Sequence, residues 1–483
     1  MVKFSELFAP KDMTEGSPWK RIVVFAIPML IGNVAQQFYN TADSIIIGRY
    51  VNDNALAAVG SAGPVLNLLL VLFMGIATGT GIMVSQYYGA KDREKLSRSI
   101  GICITLTAIA SLLIMIIGPL ITRPLLNFLN TPASIIDWCE DYLVILFIGS
   151  LGPAYYNILS GILRGLGDSV SALVFLLIST VLNVVLDIWF VVGFNMGIAG
   201  VALATVIAQV LSAVLCFIKL MKLKDTFDLN LKMLVPIKEY TSKLIKLGLP
   251  AGITQAIFSF AIIAVQSLTN SFGEMVIACN VIVMRVDGFA MMPNFTFGNA
   301  MTTFAGQNIG AKKIDRVEKG TRAGLRIAVG VSTVITIIIL LLGRYLMSVF
   351  TDTTELVDLS MYMMRILAAG YIAVAVTQTL SGVMRGAGDT MTPMWISLIS
   401  TVGLRVPIAY VIAYFTRSEA YPTGRPESVF VSLLISWVCG AILTTIFYKR
   451  GGWRKKSLAA KDSPNQQVSS QFKRNKRYRA LDQ

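Results

Sequence analysis

LSGILRGLGD at Leu159–Asp168 returns as LSGVMRGAGD at Leu380–Asp389, 221 residues further on. ISTV at Ile178–Val181 recurs at Ile399–Val402 in the same register. Gln86, Gly89, Ala90 and Lys91 likewise match Gln307, Gly310, Ala311 and Lys312. Three separate segments in one register mark a duplicated chain, and the duplication decides the fold. The RG-x-GD segments themselves read structurally: their glycines permit a tight turn, and Arg and Asp tie the loop down. No G-x-x-x-x-G-K-[ST] phosphate loop occurs.

What is duplicated follows from composition. The 483 residues are 55% hydrophobic and 14% charged, with mean hydropathy +0.67. A soluble domain carries about a quarter charged residues, so this is an integral membrane protein. Apolar blocks long enough to cross a bilayer predict twelve helices at 20–47, 55–87, 97–121, 138–163, 169–192, 198–221, 242–271, 276–305, 322–346, 357–384, 390–414 and 427–448. The expected fold is all-α: two parallel-repeat six-helix bundles around a V-shaped cavity. An N-terminal lobe covers 1–221, a basic linker 222–241, a C-terminal lobe 242–448, and a basic, disordered tail 449–483. Parallel repeats put a substrate path at the interface between halves.

The net charge of +15 sets topology rather than nucleic-acid binding. Of the 42 Lys and Arg residues, 34 fall on the termini and the loops of one side, five (Arg49, Arg123, Arg344, Arg417, Arg425) on the other, and three (Arg285, Arg365, Arg405) inside helices. The positive-inside rule makes both termini cytoplasmic. The five cysteines lack metal-ligand spacing, and no cofactor is expected. Histidine is absent, so proton coupling near neutral pH falls to carboxylates or other groups.

The repeat is informative where it breaks. Asn33, Gln36, Gln37, Asn40 and Asp43 form a polar stripe on one face of helix 1. On helix 5, Asn183 and Asp187 lie one turn apart, yet their repeat mates are Leu404 and Ile408, and Asp43 maps to Ala264. Carboxylates in the membrane are costly and usually functional. Both acids fall roughly 6–8 Å inside the outer boundary at 1.5 Å per residue, in one bundle, so mutual approach is expected. Two close carboxylates in a low-dielectric pocket titrate as a coupled pair. Asn40, Asn157, Asn183 and Thr205 are the candidates to orient them, and Pro28 is a candidate bend in helix 1. In the second half, Asp287 and Arg405 near mid-membrane read as a buried ion pair, and Met291 belongs to an adaptable methionine wall.

On two six-helix halves, TADSIIIGR at Thr41–Arg49 and the paired LRG-x-GD and MRG-x-GD loops, the chain resembles the multidrug and toxic compound extrusion (MATE) family across its membrane region. Asp43 with Asn183 and Asp187 suggests the DinF-like branch. The resemblance implies a secondary antiporter, not an enzyme, that expels organic, often cationic compounds for H⁺ or Na⁺ by alternating access. It implies coupling at Asp43 and Asp187, with Asn157, Asn183 and Thr205 in their network and Na⁺ open at Asp43, Asp187 and Asn183. Pro28 would be the helix 1 bend. Gln36, Asn40, Tyr142, Gln255, Asp287 and Met291 are the candidate cavity residues. Acids used by other branches in the second lobe are missing; helix 7 carries Gln255 and Gln266 instead. The expected setting is a monomer in the cytoplasmic membrane, binding small organic substrates and no nucleic acid. The alternative is a lipid-linked oligosaccharide flippase, whose phosphates the second-lobe arginines would suit.

Overall fold

The computed structural model describes residues 9–129 and 131–456; of the tail expected to be disordered over 449–483, residues 449–456 are instead ordered, with a helical turn at Gly452–Lys455 and Trp453 buried, and the rest lies outside the described residues. Twelve spans follow in order. Spans 1 to 3 are Pro18–Tyr50, Asp53–Gly89 and Arg93–Phe128. Span 4 is Ile136–Ile148 with Leu151–Gly165, span 5 is Ser169–Ile188 continued by a π-helical turn at Trp189–Gly193, and span 6 is Gly197–Met221. Spans 7 to 9 are Lys238–Asn270, Glu274–Gly310 and Ile314–Ser348. Span 10 is Thr354–Ala368 with Gly370–Gly386. Span 11 joins Met391–Ser397 to Arg405–Phe415 through π turns at Leu398–Leu404, and span 12 is Glu427–Arg450. Among the described residues nine helices meet the length and hydropathy of a membrane crossing singly, and the bent spans 4 and 10 bring this to eleven. The 37-residue second span completes the set.

Spans 4 and 10 bend by 51° and 45°. The breaks fall at Gly149–Ser150 and at Ala369, just before Gly370, and Gly149 and Gly370 occupy one repeat position. Glycine lets a helix kink where the ladder is interrupted. Span 1, in contrast, is one continuous helix through Pro28.

The RG-x-GD loops are turns with caps. Gly167 and Gly388 hold φ +90° and +92°, a region only glycine enters without strain. The next residue, Asp168 or Asp389, stands just before the following span. Asp168 accepts from the Ser171 amide (2.9 Å) and hydroxyl (2.6 Å), and Asp389 accepts from the Thr392 hydroxyl at 2.8 Å. These are side-chain caps for otherwise orphaned helix amides.

The two lobes interlock at the end carrying the basic loops. Ile22, Phe25 and Ala26 of span 1 pack into the second lobe against Met301 and Phe304. Tyr240, Leu244 and Leu247 of span 7 pack into the first against Met83 and Tyr87. Spans 2 and 7 meet backbone to backbone: a Cβ on Gly75 would stand 2.9 Å from the Gly248 carbonyl oxygen, and one on Gly79 2.8 Å from the Gly248 nitrogen. Small residues spaced by four are what close helix packing in lipid requires. The repeat mates of Gly248 and Gly252 are Ile27 and Ile31 on span 1, so the seam between spans 1 and 8 cannot close in the same way.

A reciprocal pair of hydrogen bonds crosses this end. Gln86 Nε2 donates to the Gly386 carbonyl at 2.8 Å, and Gln307 Nε2 to the Gly165 carbonyl at 3.0 Å. Donors and acceptors are repeat mates, so each lobe holds the other's RG-x-GD loop. The segment before span 1 lies beneath. The Met13 amide donates to Gln307 Oε1 at 2.9 Å, and Arg316 donates to the carbonyls of Met13, Glu15 and Gly16.

Candidate functional site: a carboxylate pair beside an inter-lobe cavity

Asp43 stands seven residues before the end of span 1 and Asp187 six before the end of span 5. That is roughly 9–10 Å from each helix end. The structure brings them together. Asp43 faces Asp187 and Thr205, and Tyr39 and Tyr142 border both acids. Asn183 and Asp187 are fully buried, and Asp43, Tyr39 and Tyr142 nearly so. Side-chain spacing explains the convergence: Tyr39 and Asp43 are one turn apart on span 1, as are Asn183 and Asp187 on span 5. The π turn at Trp189–Gly193 follows Asp187 directly; such turns re-aim the residues beside them and recur at functional sites.

The cluster's polar atoms are unsatisfied. Tyr39 Oη, Asp43 Oδ1, both side-chain polar atoms of Asn183, both carboxylate oxygens of Asp187 and Thr205 Oγ1 are buried without a hydrogen-bond partner. Each such group costs about 1–3 kcal/mol when left unmade, and native structures hold few of them. Their concentration around two acids is the feature of the first lobe that packing does not explain. Among the described residues no group of three or more His, Cys, Asp or Glu could hold a metal ion. A monovalent cation would be held by oxygens of Asp43, Asp187, Asn183 and Thr205.

The other candidates separate. Asn157 lies eight residues from the basic end of span 4, and Asp187 lies eighteen residues along span 5. At 1.5 Å per residue their depths differ by roughly 15 Å. Asn157 instead donates to the Pro153 carbonyl at 2.8 Å and lines a cavity of about 280 Å³ between the lobes, with Pro28, Asn33, Gln36, Arg164 and Thr303. Asn33 reaches across to donate to Thr296 Oγ1 of span 8 at 2.9 Å. Asn40 and Gln255 are exposed and outside this cavity. Tyr142, expected in the cavity, sits at the carboxylates. Asp287 and Met291 line a second pocket inside the second lobe. Asp287 and Arg405 both face that pocket, and no ion pair joins them among the described residues; the expected buried pair is not closed. Tyr39 is the residue the sequence reading missed. Its signal was its position one turn before Asp43, on the same face.

The MatE family model matches the chain twice, over residues 28–189 and 250–411. The Probable multidrug resistance protein YoeA of Bacillus subtilis is 30% identical over 94% of this chain and 98% of its own length. YpnP of the same organism, also named a probable multidrug resistance protein, is 30% identical over 92% and 98%. A solved structure described as the outward-facing conformation of a multidrug resistance MATE family transporter superposes with a TM-score of 0.84 at 23% identity, covering 91% of this chain and 97% of that one. The two matched segments fall one in each half of the chain, 222 residues apart where the duplicated loops stand 221 apart, and with these likenesses they make the chain a member of the MatE family of membrane transporters.

Proposed function

We propose that the chain is a secondary antiporter that expels small amphiphilic, cationic organic compounds in exchange for H⁺ or Na⁺. The names of its relatives support compound export. The observation that carries the coupling reading is the cluster of unpartnered polar atoms around Asp43 and Asp187. Two carboxylates in one dry pocket are stable together only when protons or a cation lie between them. The chain has no histidine to take the role.

The excess of Lys and Arg identifies the interlocked end as cytoplasmic, so the carboxylates lie toward the outside of the cell membrane. The Gln86 and Gln307 bonds then act as the cytoplasmic lock of an outward-open state. Alternating access consists of breaking that lock while the far ends of the lobes approach. Substrate would occupy the inter-lobe cavity beside Pro28, Asn33 and Gln36, and the transporter works as a monomer. The flippase alternative needs the second-lobe arginines in one groove. Arg285 and Arg365 are exposed and do not line the pocket that Arg405 shares with Asp287.

Proteoliposomes with a pH gradient or a Na⁺ gradient imposed separately test the reading. Uptake of a fluorescent organic cation against its gradient is expected with at least one of the two. Uptake that merely equilibrates under both would overturn antiport.

A further inference from the structure

A second pocket lies wholly within the second lobe, among spans 7, 8, 10, 11 and 12. It encloses about 150 Å³. Two opposite charges face into it: Asp287 from span 8 and Arg405 from span 11. They are close enough to act on one another electrostatically. Yet Asp287 Oδ1 and Arg405 Nε are both buried without a hydrogen-bond partner, with the Tyr371 hydroxyl as the other polar neighbour of Asp287. Packing could have joined them, since burying either charge alone costs several kcal/mol. The backbone works against joining them. π-Helical turns at Leu398–Leu404 end immediately before Arg405, whose amide bonds back to the Ser400 carbonyl, five residues earlier. Such an insertion re-aims the residue that follows it. Much of the wall is aromatic and thioether, from Phe258, Phe295, Phe430, Trp437, Met284 and Met291, with Gln266, Asn280 and Thr401 among its polar groups. Aromatic faces attract ammonium groups, and methionines adapt to varied apolar shapes. Met284 and Phe295 are substantially exposed, so the pocket has a mouth.

We propose that this pocket is a binding site for dipolar amphiphiles, with Asp287 taking a cationic group, Arg405 an anionic group and the aromatic walls the apolar body. The two protein charges then complete their hydrogen bonds through the ligand, which a singly charged compound cannot do. The site is separate from the coupling acids, and its occupancy needs no ion gradient.

Three probes sharing one fluorophore test it on the purified full-length protein: dansyl-lysine, carrying ammonium and carboxylate; dansylcadaverine, carrying only the ammonium; and dansyl-aminohexanoic acid, carrying only the carboxylate. Energy transfer from tryptophan to dansyl reports binding. Dansyl-lysine is expected to bind about tenfold more tightly than either control, the effect of roughly one charge-assisted hydrogen bond. Asp287→Asn removes the preference over the anion, Arg405→Gln the preference over the cation, and Trp437→Phe lowers energy transfer to a dansyl group bound in this pocket. Where a neutral variant aggregates, Asp287→Glu and Arg405→Lys keep the charges and are expected to keep the preference. Equal affinity for all three probes, no binding of any, or a preference indifferent to Asp287→Asn and Arg405→Gln would each overturn the proposal.

Discussion

A buried amide or hydroxyl tolerates replacement by its isostere when it serves packing alone, whereas a group that must change its charge does not. Asp43→Asn and Asp187→Asn conserve volume and keep acceptor capacity, so the fold should survive while ion exchange fails. Tyr39→Phe removes one unpartnered hydroxyl and leaves both acids, so we expect transport reduced roughly three- to tenfold, in line with about 1 kcal/mol of lost interaction. Substrate uptake rates in proteoliposomes separate the two outcomes. The loop acids make a contrasting case. Burial pushes the Asp168 carboxyl up from its usual range, and both of its oxygens accept hydrogen bonds from Ser171, so its role is that of a cap. Asp168→Asn should leave thermal stability almost unchanged. Asp168→Ala should cost about 1 kcal/mol, read as a lower unfolding midpoint in detergent. The acid pair was legible in the sequence because depth and bundle could both be counted. Asn157 was not, because a family network says nothing of the roughly 15 Å of depth that separates it from the pair. Asn40 yielded to Tyr39 because four residues, not three, bring the side chain under Asp43.

At the scale of elements, apolar blocks predicted twelve spans and the duplicated register predicted their division into two repeats. The structure lengthens several of them. Span 3, expected over 97–121, runs Arg93–Phe128, and span 9, expected over 322–346, runs Ile314–Ser348. Hydropathy marks only the part of a helix that meets lipid, and the ends continue into the loops. Two features were present in the sequence and unread. Gly149 and Gly370 share a repeat position and break spans 4 and 10. Gly75, Gly79, Gly248 and Gly252 form a close helix crossing between the lobes, a pattern of small residues invisible to hydropathy. That seam makes a direct prediction. Gly248→Leu drives a side chain into the backbone of span 2, and overpacking of this kind costs about 1–3 kcal/mol. Gly403→Leu is the contrasting substitution, because a Cβ there meets only the Leu398 carbonyl at 3.8 Å. The unfolding temperature should fall for the first and hold for the second.

For the whole molecule, the asymmetry between lobes matters more than their likeness. The shared residues build turns, caps and the reciprocal glutamine bonds; the acids at the end away from the basic loops belong to one lobe, and the proposed dipolar pocket to the other. Gln86→Ala with Gln307→Ala removes both reciprocal bonds, and should widen the spin-label distance between the basic ends of spans 2 and 8, as measured by pulsed electron resonance. An unchanged distance distribution would mean that apolar interlock alone holds that end. Under the proposed antiport, energetics set what the carboxylates must do. A proton entering down one pH unit releases about 1.4 kcal/mol, enough for about tenfold accumulation of a monovalent cation exchanged without net charge. A second proton would add roughly 3.7 kcal/mol at 100 mV, its pH and voltage contributions together. Two acids in one pocket supply the places for it. The most direct test is gradient-driven uptake of a fluorescent organic cation by proteoliposomes containing Asp43→Asn or Asp187→Asn, alongside substrate binding by the same purified variants. The account predicts that each variant binds substrate and loses uptake driven by either ion gradient. Undiminished gradient-driven uptake by both would contradict it.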